Sequence, residues 1–306
     1  MIHVAIIGLD SSHSIEFTKV LQDKSIPPDN RVQGMRVATC MRFETPFQNA
    51  EGLDKRQAQL ESLGVRVTSS LDETLVDCDA IMLEINDGAL HLDYFKKIAA
   101  LGKPVFLDKP LANSLSDGRA IIRLMHKHNT RVWSGSSIPF IPEIAQSRSQ
   151  FTKVTRAHVF GALGNALSGD SLIWYGVHTF EMLQRILGPG AQSVRALETN
   201  NSILATVDYD DGREGVVETV RGLWTYGGYL HGQAGDESKL IPFVCNAKHV
   251  YRDILLQVKA FFKGGPAPVD MRATFEGLAI MTAARRSIET GKTVKVPTLN
   301  TGKNLP

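Results

Sequence analysis

Short apolar runs alternate with helical segments over roughly the first 130 residues, and this alternation limits the fold more than any other feature of the sequence. Continuous apolar runs are typical of parallel strands that are buried on both faces. Such runs lie at residues 4–8, 35–40, 79–85 and 104–107, and helical patterns lie at 14–21, 53–63, 91–101 and 116–129. Repeated β-α-β units of this kind predict an α/β protein with a doubly wound parallel sheet and right-handed crossovers.

The pattern changes after about Ser134, where longer segments alternate apolar and polar residues. Asp210-Asp211-Gly212 is a hairpin signal that joins the segment at 204–210 to a returning strand at 214–220. The tail from 251 to 290 is mostly helical. We therefore expect a second domain with an antiparallel sheet, and a division of the chain into residues 1–135 and 136–306.

Composition argues against several classes of protein. The 34 Lys and Arg residues nearly balance the 32 Asp and Glu residues, so no nucleic-acid or polybasic membrane partner is expected. No apolar stretch is long enough to span a bilayer, and the N-terminus lacks the basic start of a signal peptide. The 3 cysteines form no CxxC, which favours a reduced, cytoplasmic protein. No metal site is predicted, since His126 and His128 are two apart on a helix.

The segment Gly8-Leu9-Asp10-Ser11-Ser12-His13 follows the first strand, where a dinucleotide-binding protein has the pattern GxGxxG. Gly8 matches the first glycine, whereas Asp10 and His13 stand at the second and third. A carboxylate beside a diphosphate is unfavourable unless it turns away. Ser11, Ser12 and the helix amides could still bind an anion at the positive end of the helix dipole; alternatively, Asp10 or Ser11 simply caps the helix.

Polar residues also follow the later strands, where the carboxyl ends of a parallel sheet form a ligand crevice. Arg42 follows the second strand, where an arginine can bind the 2′-phosphate of NADP, so it favours NADP as the cofactor. The alternative is that Arg42 is a solvated surface residue. Glu84, Asn86 and His91 lie at or just beyond the exit of the strand at 79–85.

Asp108-Lys109-Pro110 stands at the exit of another buried strand, so the Lys109 side chain is expected to project toward a ligand. A lysine ammonium beside a substrate hydroxyl stabilises an alkoxide as hydride leaves. The alternative is an exposed lysine beside a loop proline.

A helical segment from Trp174 to Leu187 carries the second candidate, His178. Its side chain could relay the substrate proton, and Asp170 could orient it if the helix begins early enough. Trp174 and Tyr175 could supply a stacking face or belong to the core. A lone helical histidine is also commonly a packed or surface residue.

Lys109 and His178 together resemble the glucose-fructose oxidoreductase, inositol dehydrogenase and MocA (Gfo/Idh/MocA) family. The block at 102–112 is similar to that family's "GK.V..EKP.A" segment, with Asp108 for Glu, and 176–188 is similar to its "G-x-H-x-x-D…G" helix. The resemblance covers nearly the whole chain. Several positions depart from the family pattern: Asp10, His13, Met41, Glu84-Ile85-Asn86-Asp87, Pro139-Phe140, Trp174 and Glu181.

This resemblance implies a Rossmann dinucleotide-binding domain at 1–135. It also implies a C-terminal α/β domain at 136–306 with an open, mainly antiparallel sheet for substrate binding and oligomerisation. The implied activity is NAD- or NADP-dependent oxidation or reduction of a hydroxyl in a sugar, polyol or related small molecule by a homo-oligomer, a dimer or tetramer.

The resemblance also implies roles for individual residues. Lys109 and His178 are the expected catalytic residues. The expected cofactor contacts are Gly8, Leu9, Asp10, Ser11, Ser12, His13, Arg42, Glu84, Asn86, His91, Asp108 and Lys109. The expected substrate contacts are Lys109, Trp174, Tyr175, His178 and Glu181.

Two other functions stay open. The fold could have lost nucleotide binding and act as a ligand-binding or regulatory protein, which Asp10 favours and Lys109 with His178 disfavours. It could also hold NAD tightly and use transient oxidation for an elimination or a glycoside cleavage.

Overall fold

A computed structural model describes residues 1–299 and divides the chain into two compact units. Among the described residues, the first unit comprises Met1–Gly135 together with Tyr251–Met271, and the second comprises Ser136–Val250 and residues 272–299. The division differs from a single cut between 135 and 136, because the segment from Tyr251 returns to the first unit. Residues 300–306 of the expected second domain lie outside the described part.

The first unit contains a six-stranded parallel sheet in the order β3-β2-β1-β4-β5-β6. Its strands are β1 (Ile2–Ile7), β2 (Met35–Met41), β3 (Arg66–Thr68), β4 (Ala80–Leu83), β5 (Val105–Asp108) and β6 (Val132–Gly135). Strand order reverses between β1 and β4, and the carboxyl ends of the strands lie along one edge of the sheet. This is the edge at which doubly wound proteins bind ligands.

Helices connect these strands as the sequence pattern predicts. They are α1 (His13–Gln22), α2 (Ala50–Ser62), α3 (Leu71–Leu75), α4 (His91–Ile98) and α5 (Leu115–His128). Asn49, Ser70 and Ser114 cap α2, α3 and α5, each accepting a hydrogen bond from a backbone amide in the first turn. Every residue of β4 and β5 is buried, which explains why both strands are continuous apolar runs in the sequence up to Asp108.

The first unit also includes most of α8 (Val250–Phe262), far along the chain from the sheet that it covers. Phe261 packs against Trp133 with ring centroids 6.2 Å apart, and Tyr251 packs against Phe17 at 5.6 Å. The Arg131 guanidinium donates to the carbonyl oxygen of Phe261 at 2.6 Å. These aromatic contacts pack α8 against α1 and β6.

The second unit is built on a seven-stranded sheet in the order β12-β11-β7-β10-β9-β8-β13. The neighbours β7 and β10 are parallel and the other described pairs are antiparallel, so the sheet is mainly antiparallel as predicted. Its strands are β7 (Lys153–Ala162), β8 (Ala191–Glu198), β9 (Ser202–Tyr209), β10 (Glu214–Val220), β11 (Gly227–Ala234), β12 (Glu237–Val244) and β13 (Val294–Lys295). Its helices are α6 (Pro142–Ser149), α7 (Val177–Leu187) and α9 (Met271–Thr290), of which α9 starts at the unit boundary. Among residues 1–299, no helix combines the length and the apolar character that crossing a membrane would require.

Candidate functional site

A tight turn joins β1 to α1, and Gly8 makes it possible. Gly8 has φ +109°, and a Cβ placed there would lie 2.7 Å from the carbonyl oxygen of Glu84. The Ser14 hydroxyl donates to the Gly8 carbonyl at 2.9 Å and ties the turn to the helix. Only glycine fits this conformation and this approach, as the first position of a dinucleotide loop requires.

Asp10 neither caps α1 nor projects into solvent. Its side chain is 1% exposed, and it accepts hydrogen bonds from the Asn86 amide at 3.0 Å and the Thr45 hydroxyl at 2.8 Å. Burial raises the pKa of Asp10, although these two hydrogen bonds oppose the shift. The carboxylate therefore ties the loop to the segments after β2 and β4. At the start of α1, the N-cap residue Ser12 makes no side-chain capping hydrogen bond, and the Ser11 hydroxyl accepts from the His13 amide at 3.1 Å.

Arg56 on α2 contacts the loop after β1, and the sequence analysis did not single it out. Its guanidinium donates to the Leu9 carbonyl at 2.9 Å, and its positive charge acts on Asp10. Arg56 lies far from the loop in sequence, and no local pattern marks it. A cation at this point offsets the carboxylate of Asp10 and favours an anion at the loop.

His13 stands at the position of the third glycine and fills the space between α1 and the sheet. Its ring stacks on Phe17 with centroids 5.0 Å apart and meets Tyr251 edge-on at 5.5 Å. His13 Nδ1 lies 2.8 Å from Oδ2 of Asp108. The imidazole and the carboxylate thus contact each other inside the unit, and their contact with a cofactor stays a prediction.

Three ionisable groups meet at the ends of β4 and β5. Glu84, Asp108 and Lys109 are 0%, 1% and 4% exposed, respectively. Burial and the charge of Asp108 raise the pKa of Glu84 well above its usual range, with Lys109 opposing. Burial alone would raise the pKa of Asp108 too, but His13 and Lys109 together lower it below its usual value. Lys109 is therefore a buried lysine among carboxylates, and the alternative of an exposed lysine is wrong.

His91 and Asn86 hold the loops beyond β4. Both ring nitrogens of His91 face carbonyl oxygens, Nε2 that of Ile85 at 2.7 Å and Nδ1 that of Leu111 at 3.3 Å. The fully buried His91 ring thus joins the exits of β4 and β5, and its contact with a cofactor stays a prediction. Asn86 contributes its backbone amide to Asp10.

Arg42 lies at a polar cavity of about 620 Å³ beyond the ends of β2 and β3. The lining residues are Arg42, Phe43, Glu44, Leu53, Gln57, Val67, Thr68, Ser69 and Glu73. The Arg42 guanidinium is 2.7 Å from a carboxylate oxygen of Asp54, on the surface of α2. The cavity thus offers carboxylates that suit ribose hydroxyls and one cation that suits a 2′-phosphate.

These features fit a dinucleotide. The glycine turn, the small residues Ser11 and Ser12 and the start of α1 suit a pyrophosphate, and the cavity at Arg42 suits an adenosine end. Asp10 departs from the pattern, but its carboxylate is buried and engaged by two donors, and Arg56 stands beside it.

In the second unit, His178 is buried and held by Ser136. The Ser136 Oγ lies 2.6 Å from His178 Nδ1, and the Ser136 amide donates to a carboxylate oxygen of Glu181 at 2.6 Å. Ser136 Oγ also accepts from the Ile138 amide at 3.1 Å. Ser136 carries no motif in the sequence, and only the fold brings it to the histidine.

Aromatic rings surround His178. Tyr175 meets the His178 ring edge-on at 4.9 Å and lies 5.2 Å from Trp174 and 5.8 Å from Trp224. Tyr226 lies 6.1 Å from His178. Trp174 and Tyr175 are half-buried and Trp224 is 70% exposed, so this group offers an accessible aromatic surface as well as packing.

Asp170 does not orient His178. Its carboxylate pairs with the Arg285 guanidinium at 2.7 Å, and Arg285 also pairs with Glu198. The chain from Leu172 to Gly176 is a π-helical turn that precedes α7, so the helix does not run regularly back to Asp170. Asp170 therefore does not have the expected role of orienting His178. Its ion pair with Arg285 links α9 to the segment just before the π turn.

The structure brings the loop residues, Glu84, Asp108 and Lys109 together in the first unit. It brings His178, Tyr175, Trp174 and Glu181 together in the second. Lys109 and His178 belong to different units, and each is placed with its own neighbours.

Comparison with known sequences identifies the segment that follows the loop. Residues 47–136 match the GFO_IDH_MocA family, described as "Oxidoreductase family, NAD-binding Rossmann fold". A protein of Streptococcus pneumoniae named "Uncharacterized oxidoreductase" is 35% identical over 91 residues. That alignment covers 28% of this chain and 24% of the relative, so the chain matches about a quarter of the relative's length.

Solved structures share the fold along almost the whole chain. A probable dehydrogenase from Thermotoga maritima has a TM-score of 0.77 at 16% identity, covering 96% of this chain and 99% of its own. The scyllo-inositol dehydrogenase from Lactobacillus casei, solved with NAD(H) and scyllo-inositol, has a TM-score of 0.75 at 14% identity, covering 97% and 99%. Residues 47–136 thus match the model of the Gfo/Idh/MocA oxidoreductase family, and nearly the whole chain shares its fold with these two solved structures.

Proposed function

We propose that the protein is an NAD- or NADP-dependent oxidoreductase that acts on a hydroxyl of a sugar, a polyol or a related small molecule. The observation that carries this proposal is Lys109, a buried lysine at the carboxyl end of β5 in a sheet of dinucleotide-binding topology. The match of residues 47–136 to an NAD-binding oxidoreductase family supports it, and the structure solved with NAD(H) and scyllo-inositol suggests the class of substrate.

The cofactor would be held by the Gly8 turn, Ser11, Ser12 and the cavity at Arg42. When bound, its nicotinamide would accept or supply the hydride. Glu44 and Glu73 at the cavity suit the ribose hydroxyls of NAD, and Arg42 suits the phosphate of NADP. Since Arg42 is already paired with Asp54, NAD is the preferred partner in this proposal.

Lys109 donates a hydrogen bond to the substrate oxygen and stabilises the negative charge that develops there. His178 accepts or returns the substrate proton at Nε2. With Nδ1–H donated to Ser136 Oγ, the neutral ring keeps a lone pair at Nε2 for this purpose. Tyr175 and Trp224 present ring faces to the apolar C–H face of a sugar or polyol.

The remaining features belong to the same proposal. Leu240 and Val244, on a largely exposed β12, are 59% and 63% exposed and offer a surface for a homo-oligomer.

Cys40, Cys78 and Cys245 form no disulfide, which suits a reducing cytoplasm.

The proposal is tested by a screen of polyols and sugars with NAD⁺ and NADP⁺, read by the absorbance of the reduced nicotinamide. For a substrate found, Lys109→Met should lower kcat at least about 100-fold, because the developing charge loses its donor. Lys103→Met, on the same segment but before β5, is the matched control. Unchanged turnover in Lys109→Met would reject the role of Lys109.

The two alternatives are separate outcomes of the same screen. Nucleotide absorbance that stays with the purified protein would indicate a permanently held cofactor that serves elimination or glycoside cleavage. A protein that binds sugars but no nucleotide would indicate a ligand-binding or regulatory role.

A further inference from the structure

Two buried carboxylates lie side by side on the parallel sheet of the first unit. Leu83 of β4 pairs with Leu107 of β5, and the residues that follow them are Glu84 and Asp108. Neither side chain reaches solvent, since Glu84 is 0% and Asp108 1% exposed. Adjacent carboxylates in such a place repel each other unless something positive binds them.

Glu84 has no hydrogen-bond partner at either carboxylate oxygen. A buried polar group without a partner is rare in folded proteins and requires an explanation. The segment Glu84-Ile85-Asn86-Asp87 also departs from the family pattern, so the family offers no explanation for this carboxylate.

His13 completes a set of three ligands. Its Nδ1 lies 2.8 Å from Asp108 Oδ2, and one ligand atom each from His13, Glu84 and Asp108 lies within 4.8 Å of the other two. Two ligands at right angles on one ion, each about 2.1 Å from it, stand about 3 Å apart. The His13–Asp108 spacing already fits such a pair, and a small movement of Glu84 would bring in the third ligand.

We propose that His13, Glu84 and Asp108 bind a divalent first-row transition-metal cation, of the class of Zn²⁺, Mn²⁺, Fe²⁺ or Co²⁺. An imidazole with two carboxylates suits these ions, whereas Mg²⁺ and Ca²⁺ prefer oxygen ligands throughout. The cation gives Glu84 the partner that it lacks and separates the charges of Glu84 and Asp108.

Lys109 is the other positive charge beside these carboxylates. With a neutral imidazole, two carboxylates and the Lys109 ammonium, the net charge of the cluster is −1. A divalent cation changes this net charge to +1. Net charge therefore permits the cation, and the unpartnered Glu84 and the ligand spacing are what favour it.

The test uses the metal alone and needs neither nucleotide nor substrate, so its failure is distinct from failure of the proposed oxidoreductase function. Chelator-treated full-length protein is dialysed against Zn²⁺, and bound metal is measured by elemental analysis. Co²⁺ is used in parallel, read by its visible absorption bands. We expect one cation per chain and a visible Co²⁺ spectrum.

Variants assign the ligands. Glu84→Gln keeps the size of the side chain, and His13→Asn removes the imidazole. Each should weaken binding more than about 100-fold, which is the upper end of the loss typical of a partner outside the ligand set. Glu61→Gln, an exposed carboxylate on α2, should bind as the parent does. A melting temperature for each variant close to that of the parent confirms that the fold persists.

Absence of stoichiometric binding, or equal binding by Glu84→Gln and the parent, would overturn the proposal. So would an infrared band of a protonated carboxyl group that is present in the untreated protein as purified and missing in Glu84→Gln. That band would show that a proton, not a cation, sits between Glu84 and Asp108.

Discussion

At the residue scale, the carboxylate of Asp10 is the largest departure from a dinucleotide loop. Burial raises its pKa above 3.8, so the folded chain holds this proton more tightly than the unfolded chain does. Below the unfolded pKa, both states are protonated and Asp10 has no effect on the free energy of unfolding. As pH rises through the folded pKa, the buried group must ionise, and the folded state is destabilised relative to a neutral side chain.

Asp10→Asn removes this charge and keeps the shape. Its carbonyl can accept from the Asn86 amide, and its amide can donate to Thr45 Oγ1. We expect Asp10→Asn to gain stability over the parent as pH rises from 3.8 and then to level off above the folded pKa. Urea unfolding at a series of pH values measures this difference, and a difference independent of pH would contradict the assignment.

Ser136 is the side chain that sets the His178 ring. Ser136→Ala removes the oxygen 2.6 Å from Nδ1, so we expect the ring to lose its single tautomer and kcat to fall about 10-fold or more. The ring ¹⁵N chemical shifts of labelled protein report the tautomer without any substrate. Ser147→Ala, a buried serine on α6, is the control. Identical ¹⁵N shifts in parent and Ser136→Ala would exclude this role.

At the element scale, the close approach of β1 and the exit of β4 depends on one glycine. Gly8→Ala would combine a positive φ with a contact of 2.7 Å to backbone, whereas Gly64→Ala has a φ of +79° and no atom within 4 Å. We expect Gly64→Ala to cost about 1–2 kcal/mol of unfolding free energy from conformation alone. Gly8→Ala should cost about 1–3 kcal/mol more, because the backbone must shift.

Denaturant unfolding of both variants separates conformational strain from steric contact. Equal losses would mean that the contact between Gly8 and Glu84 is relaxed without cost. A larger loss for Gly8→Ala would locate the constraint in the packing of β1 against the exit of β4.

The sequence predicted strands and helices well where their burial produces a regular local pattern of apolar residues. The apolar runs at 4–8, 35–40 and 104–107 are strands because both faces of the parallel sheet are covered, and each lies within a residue or two of the observed strand. The strands β11 and β12 were not predicted, since β12 is largely exposed and lacks a clear alternation. The π turn at 172–176 was also missed, because no residue pattern in this segment marks the change from i→i+4 to i→i+5 hydrogen bonds.

For the candidate site too, only residues next to a local sequence pattern could be predicted. The position of Lys109 beside the end of β5 could be predicted, because it directly follows an apolar run. Arg56 and Ser136 could not, since each reaches its partner through tertiary structure alone. The direction of a side chain could not be predicted from the sequence pattern either. His91 follows a strand end, where a ligand contact is expected, yet both of its ring nitrogens face backbone carbonyl oxygens.

At the scale of the whole molecule, the chain returns to its first unit after the second has been built. Tyr251 and Phe261 on α8 cover Phe17 and Trp133, and Arg131 binds the end of that helix. Residues 1–135 alone would expose these rings. We expect this fragment to lack a cooperative thermal transition and to gain one when a peptide of residues 250–271 is added.

Circular dichroism of the fragment with and without the peptide measures this dependence. A peptide in which Tyr251 and Phe261 are replaced by Ser is the matched control. If residues 1–135 melted cooperatively at the temperature of the full chain, the return of α8 would be unnecessary for the first unit.

The measurement that tests the central claim most directly is a calorimetric titration of the full-length protein with NADH and with NADPH. The loop geometry, the cavity at Arg42 and the burial of Asp10 predict saturable micromolar binding of at least one of them, with tighter binding by Asp10→Asn because a negative charge near the pyrophosphate is removed. Absence of binding by both the parent and Asp10→Asn would contradict the oxidoreductase function proposed for this chain.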